Sequence, residues 1–97
     1  MAAKIEVEKL DQFTFRVRVI EGASETTHDV TVSPGQLAIL AGGKLQPEEL
    51  VRRSFEFLLE REPKESILAR FDLSVIGRYF AEYEREIKRR FVRNEHE

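Results

Sequence analysis

The chain contains no cysteine, so disulfide bonds, thiolate metal sites and thiol-based catalysis are all excluded. It has no apolar run near the roughly 20 residues of a membrane-spanning helix, and its first ten residues hold no signal-peptide core. We therefore expect a cytoplasmic protein without a membrane partner. The chain also lacks a large excess of either charge, because it has 16 Lys and Arg and 18 Asp and Glu, which give a net charge of −2. This balance argues against the basic surface that nucleic-acid-binding domains present.

The residues that are present have the composition of a folded globular protein. Hydrophobic residues make up 41% and charged residues 35% of the 97 positions, which favours a packed core over disorder. The length predicts a single domain over residues 1–97. Within it we expect a sheet at 4–32, a helical part at 33–92 and a frayed tail at 93–97.

The segment 47–61 predicts the central helix of this domain. Its apolar residues cover an arc of roughly 200° at helical spacing, whereas a surface helix buries a stripe of about 100° or somewhat more. The helix must therefore be covered on two sides. Pro47 suits the first helical position, Glu48 and Glu49 complement the helix dipole, and Pro63 ends the segment.

Three runs of alternating apolar and polar residues precede this helix and predict an antiparallel meander of three strands. The apolar positions are Ile5 and Val7, then Phe13, Phe15, Val17 and Val19, then Val30 and Val32. One face of the sheet should be buried and the other solvated, with Glu6 and Glu8 across from Arg16 and Arg18. The first and third strands should be edges, which pair readily with another chain and make a homodimer plausible.

The remaining residues predict three more helices. Ser33 and Pro34 begin a short helix that stops at Gly42-Gly43, a glycine pair that lacks the context of a phosphate loop. A second short helix should follow Pro63 and extend to about residue 71, and Ser74 should cap a long amphipathic helix at about 75–91. The fold class is therefore α+β, with a three-stranded antiparallel meander at about 4–32 followed by two short and two long helices packed on one sheet face.

The apolar positions of these elements define the expected core. They are Ile5, Val7, Phe13, Phe15, Val17, Val19, Val30, Val32, Leu37, Leu40, Leu50, Val51, Phe55, Leu58, Leu59, Ile67, Leu68, Phe71, Ile76, Phe80, Tyr83 and Ile87.

The helical half contains SFEFLLEREPKESIL followed by RFDLSVIGRYFAEYEREI. The sequence of these segments resembles that of a family of short, uncharacterised prokaryotic proteins, and the resemblance extends from the THDVTVSP strand to Phe91. The family has no assigned activity. The resemblance therefore implies a stand-alone small domain and transfers no functional residue.

Residues suited to catalysis are few. His28 begins the third strand, and the adjacent Asp29 points to the other face of a regular strand and cannot orient it. Ser24 and Thr26 have no nucleophile-elbow motif around them. We interpret His28 as structural and His96 as part of the tail. No catalytic residue, cofactor or metal is expected, and an enzyme with a site at a dimer interface ranks third among the functional hypotheses.

The segment 65–90 gives the second-ranked hypothesis, a DNA-binding protein with a helix-turn-helix-like pair. Its candidate contacts are Arg78, Arg85, Lys88 and Arg89. Acidic residues are interspersed with these cations, and because phosphate contacts dominate affinity, a near-neutral segment should bind DNA weakly.

The first-ranked hypothesis is a small, soluble, non-enzymatic interaction domain that binds protein. Its candidate interface residues are Tyr79, Tyr83 and Phe91, the aromatic residues of the last predicted helix, although most of that aromatic surface should cover the core. The expected partner is another protein, including a second copy of this chain.

Overall fold

The computed structural model describes residues 3–41 and 46–95. The elements in chain order are β1 (Lys4–Lys9), β2 (Thr14–Glu21), β3 (Ser24–Thr31), α1 (Pro34–Ala41), α2 (Pro47–Leu59), a 3₁₀ turn (Lys64–Ser66), β4 (Arg70–Asp72), α3 (Ser74–Tyr79) and α4 (Tyr83–Glu95). The fold is α+β, with two short helices of 8 and 6 residues and two long helices of 13 residues each.

The four strands form one mixed sheet in the order β1-β2-β3-β4. The first three are antiparallel, which confirms the predicted meander. Gly22 makes the β2–β3 turn with a φ of 61°, a backbone conformation that glycine adopts without steric cost. The register places the apolar residues of β1, β2 and β3 on one face and the predicted Glu–Arg pairs on the other.

The predicted second short helix, at 63–71, is wrong. The chain makes a single 3₁₀ turn and then extends, so that β4 pairs in parallel with β3. Two backbone bonds bracket this pairing: the Asp29 N–H donates to the Ala69 carbonyl at 2.8 Å and the Leu73 N–H donates to the Thr31 carbonyl at 3.0 Å. Sheet partners far away in sequence thus override the local helical pattern. It follows that β3 is not an edge strand, and that the first helix of the predicted helix-turn-helix-like pair at 65–90 does not form.

The predicted long helix at 75–91 is divided in two. Phe80 takes an extended conformation (φ −129°, ψ 97°) between α3 and α4. Its ring packs edge-on against Phe57 of α2, with ring centroids 5.9 Å apart. The break lets α3 pack beside β4 while α4 packs against α1 and α2.

Helix starts agree with the sequence at two places and differ at the third. The Gln36 N–H donates to Ser33 Oγ at 3.1 Å, which confirms the Ser33 cap, and Pro47 is the first residue of α2. Ser74 is not a cap but the first residue of α3, and its N–H donates to Asp72 Oδ2 at 3.0 Å. Asp72 therefore takes the capping role.

Helix ends differ from the sequence-based bounds. The central helix α2 ends at Leu59, two residues before its predicted end, and α4 continues to Glu95, into the tail for which fraying is expected. Gly42-Gly43 and His96 lie outside the described residues.

The central helix is covered on two sides, as predicted. Phe55 faces the sheet, with its ring centroid 5.3 Å from His28 and 6.0 Å from Phe71. Phe57 faces the other way and packs against Phe80 and Tyr83. The core is therefore layered as sheet, α2 and α4.

Most of the predicted core residues are buried, and four more (Val7, Leu37, Leu59 and Phe80) pack against the core from partly buried positions. The core prediction is wrong for Phe13 and Leu68, because 41% of the surface of Phe13 and 49% of the surface of Leu68 are exposed. Phe13 lies beyond the last β1–β2 pair, and Leu68 lies outside any helix because the predicted one does not form. Phe57 and Leu73 are fully buried but were not among the predicted core residues.

Candidate functional site

An apolar groove of about 460 Å³ lies between the end of α2, the segment leading into β4, and α3. We call it the α2–α3 groove. Its lining residues are Leu58, Glu62, Ser66, Ile67, Leu68, Phe71, Val75, Ile76, Tyr79 and Phe80. Two of them are large and exposed, Tyr79 at 71% and Leu68 at 49%. The groove is thus open to solvent with apolar side chains at its mouth.

The pairing of β4 shapes one wall of the groove. Phe71 turns inward to the core opposite Val30, while Leu68, just before the strand, stays on the surface. A helix at this position, as the sequence predicts, would have turned Leu68 inward. Leu68 is thus exposed at the groove because the chain is extended, not helical, as it leads into β4.

His28 holds this wall in place. Its Nδ1 lies 2.8 Å from the Leu68 carbonyl oxygen and its Nε2 lies 2.8 Å from Thr26 Oγ1. A carbonyl only accepts, so Nδ1 donates to the Leu68 carbonyl, while a second hydrogen bond joins Nε2 to the Thr26 hydroxyl. Only 2% of His28 is exposed. The residue thus fixes the backbone of a groove residue without contacting the groove itself.

Glu62 brings a carboxylate to the groove. It lies in the turn after α2 and is the one charged side chain that lines the groove in the described part of the chain. Its carboxylate has no hydrogen bond or ion pair with any of the described residues. An apolar groove with a single unpaired charge at its edge matches the usual make-up of a binding site.

Lys64 is a buried cation close to the groove in sequence, but it is engaged elsewhere. Its Nζ lies 2.5 Å from Glu65 Oε2 and 3.2 Å from Glu21 Oε1, and only 3% of its side chain is exposed. The hydrogen bond to Glu65 raises the pKa of Lys64, so the amine stays charged. Lys64 therefore ties the 3₁₀ turn to the end of β2. The sequence contains no local signal for a contact between residues so far apart.

The polar face of the sheet is a network of ion pairs. Arg16 Nε lies 3.1 Å from Asp29, and Arg18 contacts Glu25 at 2.8 Å and Glu6 at 2.9 Å. The hydrogen bond from Arg18 lowers the pKa of the Glu25 carboxyl. The predicted pairing of charges on this face is confirmed in register. These arginines are already neutralised, so the face offers no concentrated positive charge.

No family model, curated protein or solved structure matches this chain.

The resemblance to uncharacterised prokaryotic proteins therefore stays a prediction, and the functional argument depends on the geometry of the chain itself. In the described part of the chain, no group of three or more His, Asp and Glu side chains is placed to hold a metal ion. Every helix within residues 3–41 and 46–95 is too short or too polar to cross a bilayer.

The predicted DNA contacts lie on two different helices. Arg78 belongs to α3 and the other three to α4, and all four are exposed. Acidic residues accompany them: Lys88 pairs with Glu84 at 3.9 Å, Arg89 pairs with Glu86, and Arg78 and Arg85 lie within electrostatic range of Asp72 and Glu82. Each of the four cations thus has an acidic neighbour, which reduces the net positive charge that they offer.

The predicted interface residues have different fates. Tyr79 is exposed at the mouth of the groove. The prediction is wrong for Tyr83, which is buried against Phe57 and has no surface for a partner. Its hydroxyl lies 2.6 Å from Ser54 Oγ. The side chain of Phe91 lies outside the described part of the chain. Sequence reasoning missed Leu68 and Glu62, whose role depends on the unpredicted strand β4.

Proposed function

We propose that this chain is a small cytoplasmic interaction domain that binds an apolar segment of another protein in the α2–α3 groove. The observation that carries the proposal is the exposure of Tyr79 and Leu68 at the mouth of one apolar groove. Exposed apolar patches on small proteins mark interaction sites, and tyrosine is among the residues that contribute most to binding energy.

The size of the groove supports the proposal. Ligand sites usually occupy about 300–1,000 Å³ and are mostly apolar with a few polar groups. The α2–α3 groove, at about 460 Å³, lies within this range. Its walls come from α2, α3 and the β4 segment, which are fixed by the core. A preformed site of this kind loses little conformational entropy on binding.

A second copy of the chain is a less favoured partner. Edge pairing through β1 would need its free backbone groups, but the Arg52 guanidinium donates to the Ile5 carbonyl of that strand at 2.5 Å. Lys4, Glu6, Glu8 and Lys9 also make β1 rich in charge, and both features protect an edge from pairing. The DNA-binding hypothesis loses support because the first helix of its predicted pair is replaced by a 3₁₀ turn and the strand β4.

The test is an affinity capture from cell lysate with the tagged chain and two single variants. Leu68→Ser makes the groove mouth polar, while Leu10→Ser makes the same change at another exposed leucine outside the groove. We expect a defined protein partner that Leu10→Ser retains and Leu68→Ser loses. The captured partner is then purified, and its affinity for all three proteins is measured directly.

Two results would contradict the proposal. Equal affinity of the partner for the wild type and Leu68→Ser would remove the groove from the interaction. Material that disappears after nuclease treatment would instead favour the nucleic-acid hypothesis. Sedimentation over a range of concentrations measures self-association in parallel, and a dimer abolished by Leu68→Ser would make a second copy the occupant of the groove.

A further inference from the structure

Glu62 gives the α2–α3 groove a chemical preference. Of the side chains that line the groove in the described part of the chain, it alone carries a charge. The Glu62 side chain makes no hydrogen bond or ion pair there, although its own backbone N–H is satisfied by the Leu58 carbonyl at 2.9 Å. Within residues 3–41 and 46–95, nothing therefore competes with a ligand for hydrogen bonds to this carboxylate.

The cations nearest to Glu62 in the chain are engaged elsewhere. Arg61 lies over the ring of Phe57, 3.7 Å from its centroid, and its Nε donates to Glu82 at 3.0 Å. Lys64 is buried between Glu21 and Glu65. Both cations are thus engaged away from Glu62, and a positive group on a partner would complement its carboxylate.

Two exposed side chains that line the same groove as Glu62 also suit a basic residue. The aliphatic stem of lysine or arginine packs on apolar surface while its charged end stays at the edge, and a cation over an aromatic ring gains further attraction. Leu68 and Tyr79 supply the apolar surface and the ring. An acidic or phosphorylated segment would meet repulsion at the same place.

Building on the proposed function, we propose that the groove selects a short peptide segment with apolar side chains and one lysine or arginine that pairs with Glu62. The apolar side chains occupy the space between Ile67, Phe71 and Ile76. The basic residue lies at the edge, where it determines which apolar segments bind.

The experiment selects a phage-displayed library of random dodecapeptides against the immobilised full chain. Enriched peptides are synthesised, together with analogues in which the basic residue is replaced by norleucine. Affinities are then measured for the wild type, Glu62→Gln and Glu56→Gln. The last variant is a matched control, because Glu56 is an exposed glutamate of α2 that does not line the groove.

We expect a basic residue to be enriched at a fixed distance from apolar ones. Glu62→Gln should weaken binding by about fivefold, in keeping with a partly exposed ion pair, and Glu56→Gln should leave it unchanged. The norleucine analogue should bind the wild type about fivefold more weakly as well, and it should bind Glu62→Gln no more weakly than the wild type. Glu62→Lys should reverse the preference and favour acidic peptides.

The possible failures are distinguishable. Peptides that depend on Leu68 and Tyr79 but carry no basic residue, and that bind Glu62→Gln unchanged, would overturn this inference and leave the proposed function intact. A library that yields no peptide whose binding is lost in Leu68→Ser would overturn both.

Discussion

At the scale of single residues, the groove side of the molecule is organised by a few polar contacts. Asp72 is the clearest case, because it joins β4 to β3 and also begins α3. Its Oδ1 accepts from the Thr31 hydroxyl at 2.7 Å and its Oδ2 accepts from the Ser74 N–H at 3.0 Å. Partial burial raises the pKa of Asp72, but the hydrogen bonds from Thr31 and Ser74 outweigh it and hold the pKa below the ordinary value of 3.8.

This lowered pKa gives Asp72 a predictable pH dependence. A carboxyl with a depressed pKa in the folded state stabilises the fold fully above its ordinary pKa of 3.8, and the contribution is lost as the pH falls through the folded value. Asp72→Asn should cost about 1–2 kcal/mol in the free energy of unfolding near neutral pH. When urea unfolding is measured over a range of pH, the difference in unfolding free energy between wild type and Asp72→Asn should become smaller below pH 3.8. A gap of constant size from neutral pH down to about pH 2.5 would show that the charge of Asp72 is unimportant.

A buried hydroxyl pair couples α2 to α4. Ser54 Oγ donates to the Leu50 carbonyl at 2.8 Å, so the Tyr83 hydroxyl, 2.6 Å away, donates to Ser54. Burial raises the pKa of Tyr83, which keeps it neutral. Tyr83→Phe should cost about 0.5–1.5 kcal/mol, and Ser54→Ala about 1–3 kcal/mol because it leaves a buried donor without an acceptor.

The double variant checks whether these two hydroxyls act as one unit. Ser54→Ala combined with Tyr83→Phe should cost less than the sum of the single changes, since the orphaned donor is removed. Chemical unfolding of all four proteins measures the coupling. Additive losses would mean that the two hydroxyls stabilise the fold independently.

At the scale of elements, local sequence predicts those parts whose partners are close in the chain. The meander β1–β3 follows from alternation, and the starts of α1 and α2 follow from Ser33-Pro34 and Pro47. Local sequence does not predict β4, because the backbone partners of that strand are about forty residues away on β3. The candidate site depends on the same strand, so the sequence singles out Tyr79 among the residues that line the groove but not Leu68 or Glu62.

The attachment of β4 should depend on His28, the one side chain that donates to the Leu68 carbonyl in the described residues. His28→Leu keeps an apolar volume but leaves that carbonyl without its donor. The amides of Asp29 and Leu73, which bond across the β3–β4 junction, should then exchange with solvent about tenfold faster relative to the amides between β1 and β2.

A matched variant isolates the Leu68 bond. Thr26→Val removes only the partner of His28 Nε2 and should leave the β3–β4 amides better protected than His28→Leu does. Hydrogen exchange followed by NMR resolves each amide. If amide exchange in His28→Leu rose equally across the whole sheet, His28 would stabilise the whole fold and not the groove wall in particular.

At the scale of the whole molecule, α2 is the layer that holds the other two together. Its Phe55 reaches the sheet through His28 and Phe71, and its Phe57 reaches α4 through Tyr83. The breadth of its apolar arc predicts this two-sided burial, because every apolar residue on the arc needs a neighbour. Which neighbour each residue contacts depends on the topology, so the pattern of the arc does not reveal it.

The central position of α2 predicts a large difference between two chemically identical substitutions. Phe55 is fully buried, whereas 41% of Phe13 is exposed at the end of the sheet. Phe55→Ala should cost about 3–5 kcal/mol, a large part of the about 5–15 kcal/mol by which small domains are stable. Phe13→Ala should cost less than about 1 kcal/mol, because little packing is lost. Guanidinium unfolding measures both, and a loss below about 1 kcal/mol for Phe55→Ala would refute the layered core, since no fully buried phenylalanine between two layers is so easily removed.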